Sequence, residues 1–375
     1  HISNRSVALT IYFLNARKHP IKLYGLLFPL LFENFINFEK GTKPGKMINQ
    51  LTIRNFKSVK ELNVSCRKLN VFIGEPNSGK SNIIEALALR SQNAFGEKLN
   101  QEIFRYKTIA DLFYDFNINN PIEIISENQR SILKYYILED RTPANVFSFL
   151  LDSEKNKDKN IIISHEGVVS SAQFDIQKTD TRFYEYKRLS KFSPAYLPHL
   201  SVPHGDNLPA LLLSNSDHKK WVSDFLKSAG LTLTLKPVEL DIVASKLVND
   251  EIYSYPYFSL SETFQRMIFY NLAIKSNNKS ILLLDEPDSN TFPFYTKHLA
   301  ERIALDETNQ FFITTHNPYL LLSLIEKSNK NELNVFIVQM KDYQTTASAL
   351  DEKQLSEVLD FNSDVFFNFG KILGE

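Results

Sequence analysis

Apolar residues along the chain keep one rhythm near residue 70 and again beyond residue 255, and a different one between. From Met47, Ile48 to Ile53 alternates apolar with polar. Arg54-Asn55-Phe56-Lys57-Ser58 reads as a turn and Val59 to Val64 alternates again, which predicts a β-hairpin. Leu69 to Ile73 is a short, largely apolar and β-branched run, the pattern of a strand buried on both faces. Asn82 to Leu89 follows with Ile83, Ala86 and Leu87 at helical spacing. The strand-and-helix order returns late in the chain. Helices are predicted over Leu260 to Lys275, Phe294 to Leu305 and Pro318 to Glu326. Buried strands are predicted over Ser280 to Leu284, Gln310 to Thr314 and Leu333 to Gln339. Such alternation implies a parallel sheet covered on both faces.

Residues 96–254 have another character. Pro121 to Ile125 and Ser131 to Leu138 read as a hairpin, and Asp152 to Asn160 as a solvated loop. Asn160 to Ser164 and Arg182 to Lys187 are short strand candidates. Leu208 to Leu213 and Lys219 to Ala229 are helix candidates, with Gly230 as a stop. The expected organisation is a core split into 47–95 and 255–345, an inserted lobe over 96–254, and a C-terminal strand and helix within 333–375. In that last part a loop separates the strand from a helix around Asp351 to Leu359. Residues 1–46 are expected to be an upstream extension that adds little to function; a short helical arm packed on a partner is the other reading. No repeat and no heptad pattern is present, which excludes a long coiled-coil arm.

Lys+Arg and Asp+Glu number 43 each, so any nucleic-acid-binding surface has to be local. Cys66 is the only cysteine, which excludes an internal disulfide and a cysteine-based metal site and fits a reducing, cytoplasmic compartment. The longest apolar run, Leu23 to Phe32, contains Pro29 and is short of a bilayer span, so no membrane association is expected.

The junction of the first buried strand and its helix carries chemistry. Gly74-Glu75-Pro76-Asn77-Ser78-Gly79-Lys80-Ser81 has G-x-x-x-x-G-K-[ST] spacing. In that arrangement backbone N–H groups and a helix N-terminus face phosphate, the lysine reaches the β/γ oxygens, and the serine hydroxyl ligates magnesium. A nucleoside triphosphate site is predicted. A second apolar strand ends in Asp285-Glu286-Pro287. An Asp there holds magnesium in a P-loop enzyme, and the adjacent Glu is placed to deprotonate an attacking water. A third ends in Thr314-Thr315-His316, where the histidine can sense a γ-phosphate. Ser261, before Glu262 and Thr263, is a good helix N-cap.

In that order these elements resemble the ABC-type ATPases of the SMC/RecF/OLD group, often called simply AAA family ATPases. Ile53 to Ser58 looks like that group's N-terminal hairpin, Gly74 to Asn82 its Walker A, Leu282 to Pro287 its Walker B, and Thr314 to Pro318 its switch histidine. Pro203 to Leu208 is similar to a loop-plus-helix found in many members. The resemblance implies an α/β P-loop NTPase of ABC-ATPase type, with a mixed sheet, helices on both faces, an N-terminal β-hairpin and an inserted β/helical lobe. It implies an ATP-dependent homodimer with two ATP molecules sandwiched between the subunits. Gly74, Glu75, Pro76, Asn77, Ser78, Gly79, Lys80, Ser81 and Asn82 would bind ATP, and Ser81 with Asp285 would hold Mg2+. Glu286 would be the general base, Lys80 and His316 would act on the γ-phosphate, and Ser261 would reach across the dimer. Lys57 is a further phosphate-contact candidate.

The chain departs from the family pattern at four positions. Pro76 stands where asparagine is usual, Thr263 where the signature motif has glycine, and Asn290 and Phe292 where histidines are frequent. Thr263 bears on dimerisation and turnover, because a β-branched side chain obstructs close backbone approach. No Toprim nuclease core and no N-K-x-D base-reading motif are visible. The resemblance leads to an ATP-hydrolysing subunit working with a separate effector, a nuclease being the first candidate, in anti-phage defence. A RecF-like clamp that binds DNA and a nucleotide-dependent scaffold with negligible turnover are the alternatives.

Overall fold

The computed structural model describes residues 47–91, 94–127, 129–138, 144–153, 160–172, 179–361, 365–366 and 368–374. The expectation for residues 1–46 lies outside them. Two strands open the described chain, β1 (Gln50–Phe56) and β2 (Val59–Ser65), paired antiparallel. The predicted turn is tighter than its sequence suggests. Arg54, Asn55 and Phe56 stay in the strand, and Lys57 turns the chain in a left-handed conformation at φ 48°.

A six-stranded sheet forms the centre. It contains β3 (Leu69–Gly74), β9 (Thr181–Tyr184), β13 (Ile281–Asp285), β14 (Gln310–Thr314), β15 (Leu333–Lys341) and β16 (Gln344–Ala349). Their order is β16-β15-β3-β14-β13-β9, all pairs parallel except β15 with β16. Side-chain alternation explains why its strands read as unbroken apolar runs. Val71, Ile313, Leu284 and Ile337 enter one core; Phe72, Phe312, Leu283 and Phe336 enter the other. The first core is closed by helices α2 (Leu208–Ser214), α3 (Ser216–Ser228), α4 (Glu262–Lys275), α5 (Pro293–Ala304), α6 (Pro318–Lys327), α7 (Glu352–Phe361) and α8 (Phe369–Leu373).

Helix α1 (Lys80–Ala88) buries Ile83, Ile84, Ala86 and Leu87 in the second core. That core is shared with a seven-stranded sheet, ordered β2-β1-β4-β5-β6-β7-β8. Its remaining strands are β4 (Ile122–Ser126), β5 (Gln129–Leu138), β6 (Ala144–Ser153), β7 (Asn160–Ser164) and β8 (Val169–Ala172). The fully buried Arg90 clips the end of α1 to the β4–β5 hairpin. Its Nε donates to Ser131 Oγ at 2.9 Å and its Nη1 to Ser126 Oγ at 3.0 Å. Burial pushes its pKa down to about 9, which leaves it charged at neutral pH.

The structure departs from the sequence expectation in several places. The loop expected after β15 is strand β16, and a further helix, α8, follows α7. A third sheet, β10 (Thr232–Lys236), β11 (Asp241–Val248) and β12 (Glu251–Pro256), leads into α4. Among the described residues no helix is long and apolar enough to cross a membrane.

Candidate nucleotide site

Central strand β3 delivers residues 74–81 to one end of the sheet. Gly79, left-handed at φ 97°, caps α1, so the first helical N–H groups point out of the loop. No larger residue fits there. A Cβ on Gly79 would lie 1.9 Å from Thr345 Oγ1, and one on Gly74 would lie 2.2 Å from the Val338 carbonyl oxygen. Two hairpins therefore clamp the loop. The fully buried Thr345 donates to the Ser78 carbonyl at 3.0 Å and meets Ser58 Oγ at 2.6 Å, while Asn82 Nδ2 donates to Ser58 Oγ at 2.6 Å.

Lys80 Nζ donates to the carbonyls of Gly74 at 2.9 Å and Glu75 at 2.8 Å. Desolvation lowers its pKa, and the negative charges of Glu286 and Asp285 oppose that shift. Ser81 Oγ donates to Asp285 Oδ1 at 3.2 Å, and Thr314 Oγ1 donates to the same oxygen. Burial raises the Asp285 pKa first. The two hydroxyls oppose that shift, and the charge of Glu286 adds to it.

Glu286 holds a left-handed backbone at φ 45°, a conformation that costs a non-glycine residue about 1–3 kcal/mol. Its N–H donates to Thr314 Oγ1 at 3.0 Å, which holds the bend. The bend lets the adjacent carboxylates diverge. Asp285 faces Ser81, whereas Glu286 Oε1 meets His316 Nδ1 at 3.0 Å and its Oε2 accepts from Ser289 Oγ at 3.2 Å.

A cavity of about 670 Å³ opens here, lined by Gly74 to Asn77, Gly79 to Asn82, Ser58, Arg105, Glu286, His316, Met340, Phe366 and Phe369. Lys80, Ser81, Glu286 and His316 thus share one cavity, and Asp285 stands behind Ser81. Ser261 does not line it. Its Oγ caps α4 by accepting from Phe264 N–H at 3.3 Å. Lys57 does not line it either, because its ammonium pairs with Glu85, buried on α1. Among the described residues no cluster of three or more His, Cys, Asp or Glu is arranged to hold a metal.

Sequence reasoning passed over three participants. Arg105 reaches the cavity from an irregular segment, with its Nη2 on Glu85 Oε1 at 2.7 Å. Asp288, 4% exposed, accepts from Thr315 Oγ1 at 3.0 Å, and burial pushes its pKa up to about 6. Only the position of Asp288, two residues past the Asp-Glu pair, could have singled it out. The third is Thr345.

A family model described as "AAA domain, putative AbiEii toxin, Type IV TA system" matches residues 69–323. The chain belongs to this AAA-domain family. No curated protein matches it. Among solved structures the AAA-domain chain is similar to an Smc head bound to the C-winged helix domain of ScpA. Identity is 16%, covering 82% of this chain and 99% of that one, with a TM-score of 0.50. An Smc head with an extended coiled coil from Pyrococcus furiosus gives 15% identity, 84% and 98% coverage and a TM-score of 0.46. The SMC head domain from Thermotoga maritima gives 13%, 82% and 100%, and 0.41. The first of these likenesses establishes a common fold, the P-loop head expected from the motifs.

Proposed function

We propose that this AAA-domain protein binds and hydrolyses ATP, and that nucleotide-dependent closure of a homodimer drives a separate effector. One observation carries the reading: Lys80, Ser81, Glu286 and His316 face a single cavity with Asp285 directly behind. The Ser81 hydroxyl and Asp285 carboxylate are hard oxygen donors 3.2 Å apart. That set suits Mg2+, which takes one or two protein oxygens and completes its shell with phosphate and water. Bound there, magnesium would neutralise charge on the β/γ phosphates.

The remaining work falls to the chain. Lys80 exchanges its two carbonyl partners for phosphate oxygens. Glu286 accepts the proton of the attacking water, and Thr314 holds its backbone in place. His316, bonded to Glu286, registers whether the γ-phosphate is present. Ser261, outside the cavity, acts on the partner's nucleotide. The split core, with β3 between β14 and β15 and the lobe of 96–254 inserted, belongs to the same proposal.

The family's description, a putative AbiEii toxin of a type IV TA system, supports a setting in anti-phage defence. Equal numbers of basic and acidic residues support a protein effector over DNA. A single buried cysteine, its thiol pushed up to about 12 by burial, supports a cytoplasmic site. Thr263 favours a second reading, a nucleotide-dependent scaffold with negligible turnover.

Light scattering on Glu286→Gln with Mg·ATP tests the engine. The expected variant binds ATP, loses turnover and doubles in mass. An unchanged mass with ATP bound refutes dimer closure, and wild-type hydrolysis by the variant refutes the assignment of the base. A wild-type protein that dimerises on ATP without measurable turnover supports the scaffold.

A further inference from the structure

The cavity has a chemically distinct wall. Apart from Pro76, its large apolar lining consists of Met340, at the end of β15, and Phe366 with Phe369, from the C-terminal segment. The two rings meet edge to face, centroids 5.4 Å apart at 71°. Phe369 is 8% exposed and belongs to the main core, as do Val365 and Ile372, so the segment is docked. Gln354 Nε2 on α7 donates to the Ile372 carbonyl at 2.8 Å, which ties α8 to its neighbour. Phe366 is only partly buried and turns to the cavity.

Among the described residues the β1–β2 hairpin offers the cavity no such surface. It contributes Ser58, while Phe56 is fully buried. Among the described lining residues Phe366 and Phe369 are the only phenyl rings, and the one other aromatic ring, the His316 imidazole, is bonded to Glu286. A nucleoside triphosphate carries two unlike ends, an anionic tail and a flat π-face. With the tail fixed by the loop and Lys80, an apolar platform within the same cavity suits the face.

The geometry points to the C-terminal segment as the nucleobase-binding wall of this site, with Phe366 stacking on the base and Met340 and Phe369 backing it. This rests on the reading of the cavity as a nucleotide site. Base–aromatic stacking is worth about 1–3 kcal/mol, roughly 5- to 150-fold in affinity, and every base has a π-face. The segment therefore sets affinity for nucleosides over bare polyphosphate and contributes little to the choice between adenine and guanine.

Calorimetry on the full chain, with ATP, GTP and inorganic tripolyphosphate as ligands, tests this. Phe366→Ala is expected to weaken ATP and GTP on the order of tenfold and to leave tripolyphosphate unchanged. Equal weakening of all three, no change, or tighter ATP binding would each overturn the inference; the last would mean the ring obstructs the site. Lys80→Ala separates the two levels. If it leaves ATP and tripolyphosphate binding intact, the nucleotide site itself has failed. If it abolishes both while Phe366→Ala matches wild type, only the base wall has failed. Phe366→Trp gives an optical check, since the one natural tryptophan, Trp221, is buried on α3. ATP should quench the new emission and tripolyphosphate should not.

Discussion

Glu85 is the most consequential charge that the chemistry does not use. It lies on α1 one turn beyond the phosphate loop, with its side chain 4% exposed. One oxygen takes the Lys57 ammonium, and the other accepts from Arg105 Nε at 3.1 Å and Nη2 at 2.7 Å. Lys57 is 12% exposed and Arg105 72%, so the two bonds differ in weight. The Arg105 pair is water-screened and contributes at most about 1 kcal/mol. Removing one member of a buried pair costs about 3–5 kcal/mol, because the other charge remains buried. Glu85→Gln is therefore expected to destabilise the protein by about 3 kcal/mol, the low end, since Lys57 keeps some access to water. Burial already lowers the Lys57 pKa from 10.5 and Glu85 opposes that shift. In the variant the cost is full below the folded pKa of Lys57 and fades as pH rises toward that of the unfolded lysine. Urea unfolding of Glu85→Gln, Lys57→Met and the double variant closes the cycle. The double should recover roughly 2 kcal/mol against the sum of the singles. A Glu85→Gln cost below about 1 kcal/mol, or strict additivity, would refute the argument.

Two further perturbations are worth making. Asp288 titrates at about 6 in the fold against 3.8 unfolded, so the stability held by its protonated form is full below 3.8 and is lost as pH rises through 6. Wild type should lose roughly 2 kcal/mol relative to Asp288→Asn between pH 4 and 7; parallel melting curves for the two proteins would contradict this. Thr263→Gly, at the start of α4, should cost about 1 kcal/mol of stability or less. It should also strengthen ATP-dependent association in sedimentation velocity, and an unaltered dimer fraction with ATP bound would clear Thr263 as an obstacle.

The buried strands and the phosphate loop were legible because their signals are local. Unbroken apolar runs at β3, β13 and β14 reflect burial on both faces, and the loop glycines mark positions where side chains collide. What stayed hidden depends on partners distant in sequence. Gln344 to Ala349 is too polar to read as a strand, yet pairing with β15 and burial of Thr345 against the phosphate loop make it one. Strands β10 to β12 went unassigned although Thr232–Lys236 alternates polar residues with Leu233 and Leu235, which pack on the main core; only β12, largely exposed, lacks an apolar face. Val146, Phe147, Phe149 and Leu151 of β6 carry a usable pattern that the sequence analysis did not assign. Arg105 was invisible because it lies in an irregular segment and its partner is a helix glutamate on another element.

Thr345 has a bearing on how the protein is made. Its hydroxyl bonds the Ser78 carbonyl across 267 residues of chain. A ribosome exposes the glycine loop long before it exposes the residue that braces it. Nascent chains should therefore ignore nucleotide until β16 has emerged, and binding would then stabilise only chains that contain Thr345. On the proposed nucleotide reading, ATP capture thus becomes a reporter that synthesis has passed Thr345, and a chain terminated before it stays silent.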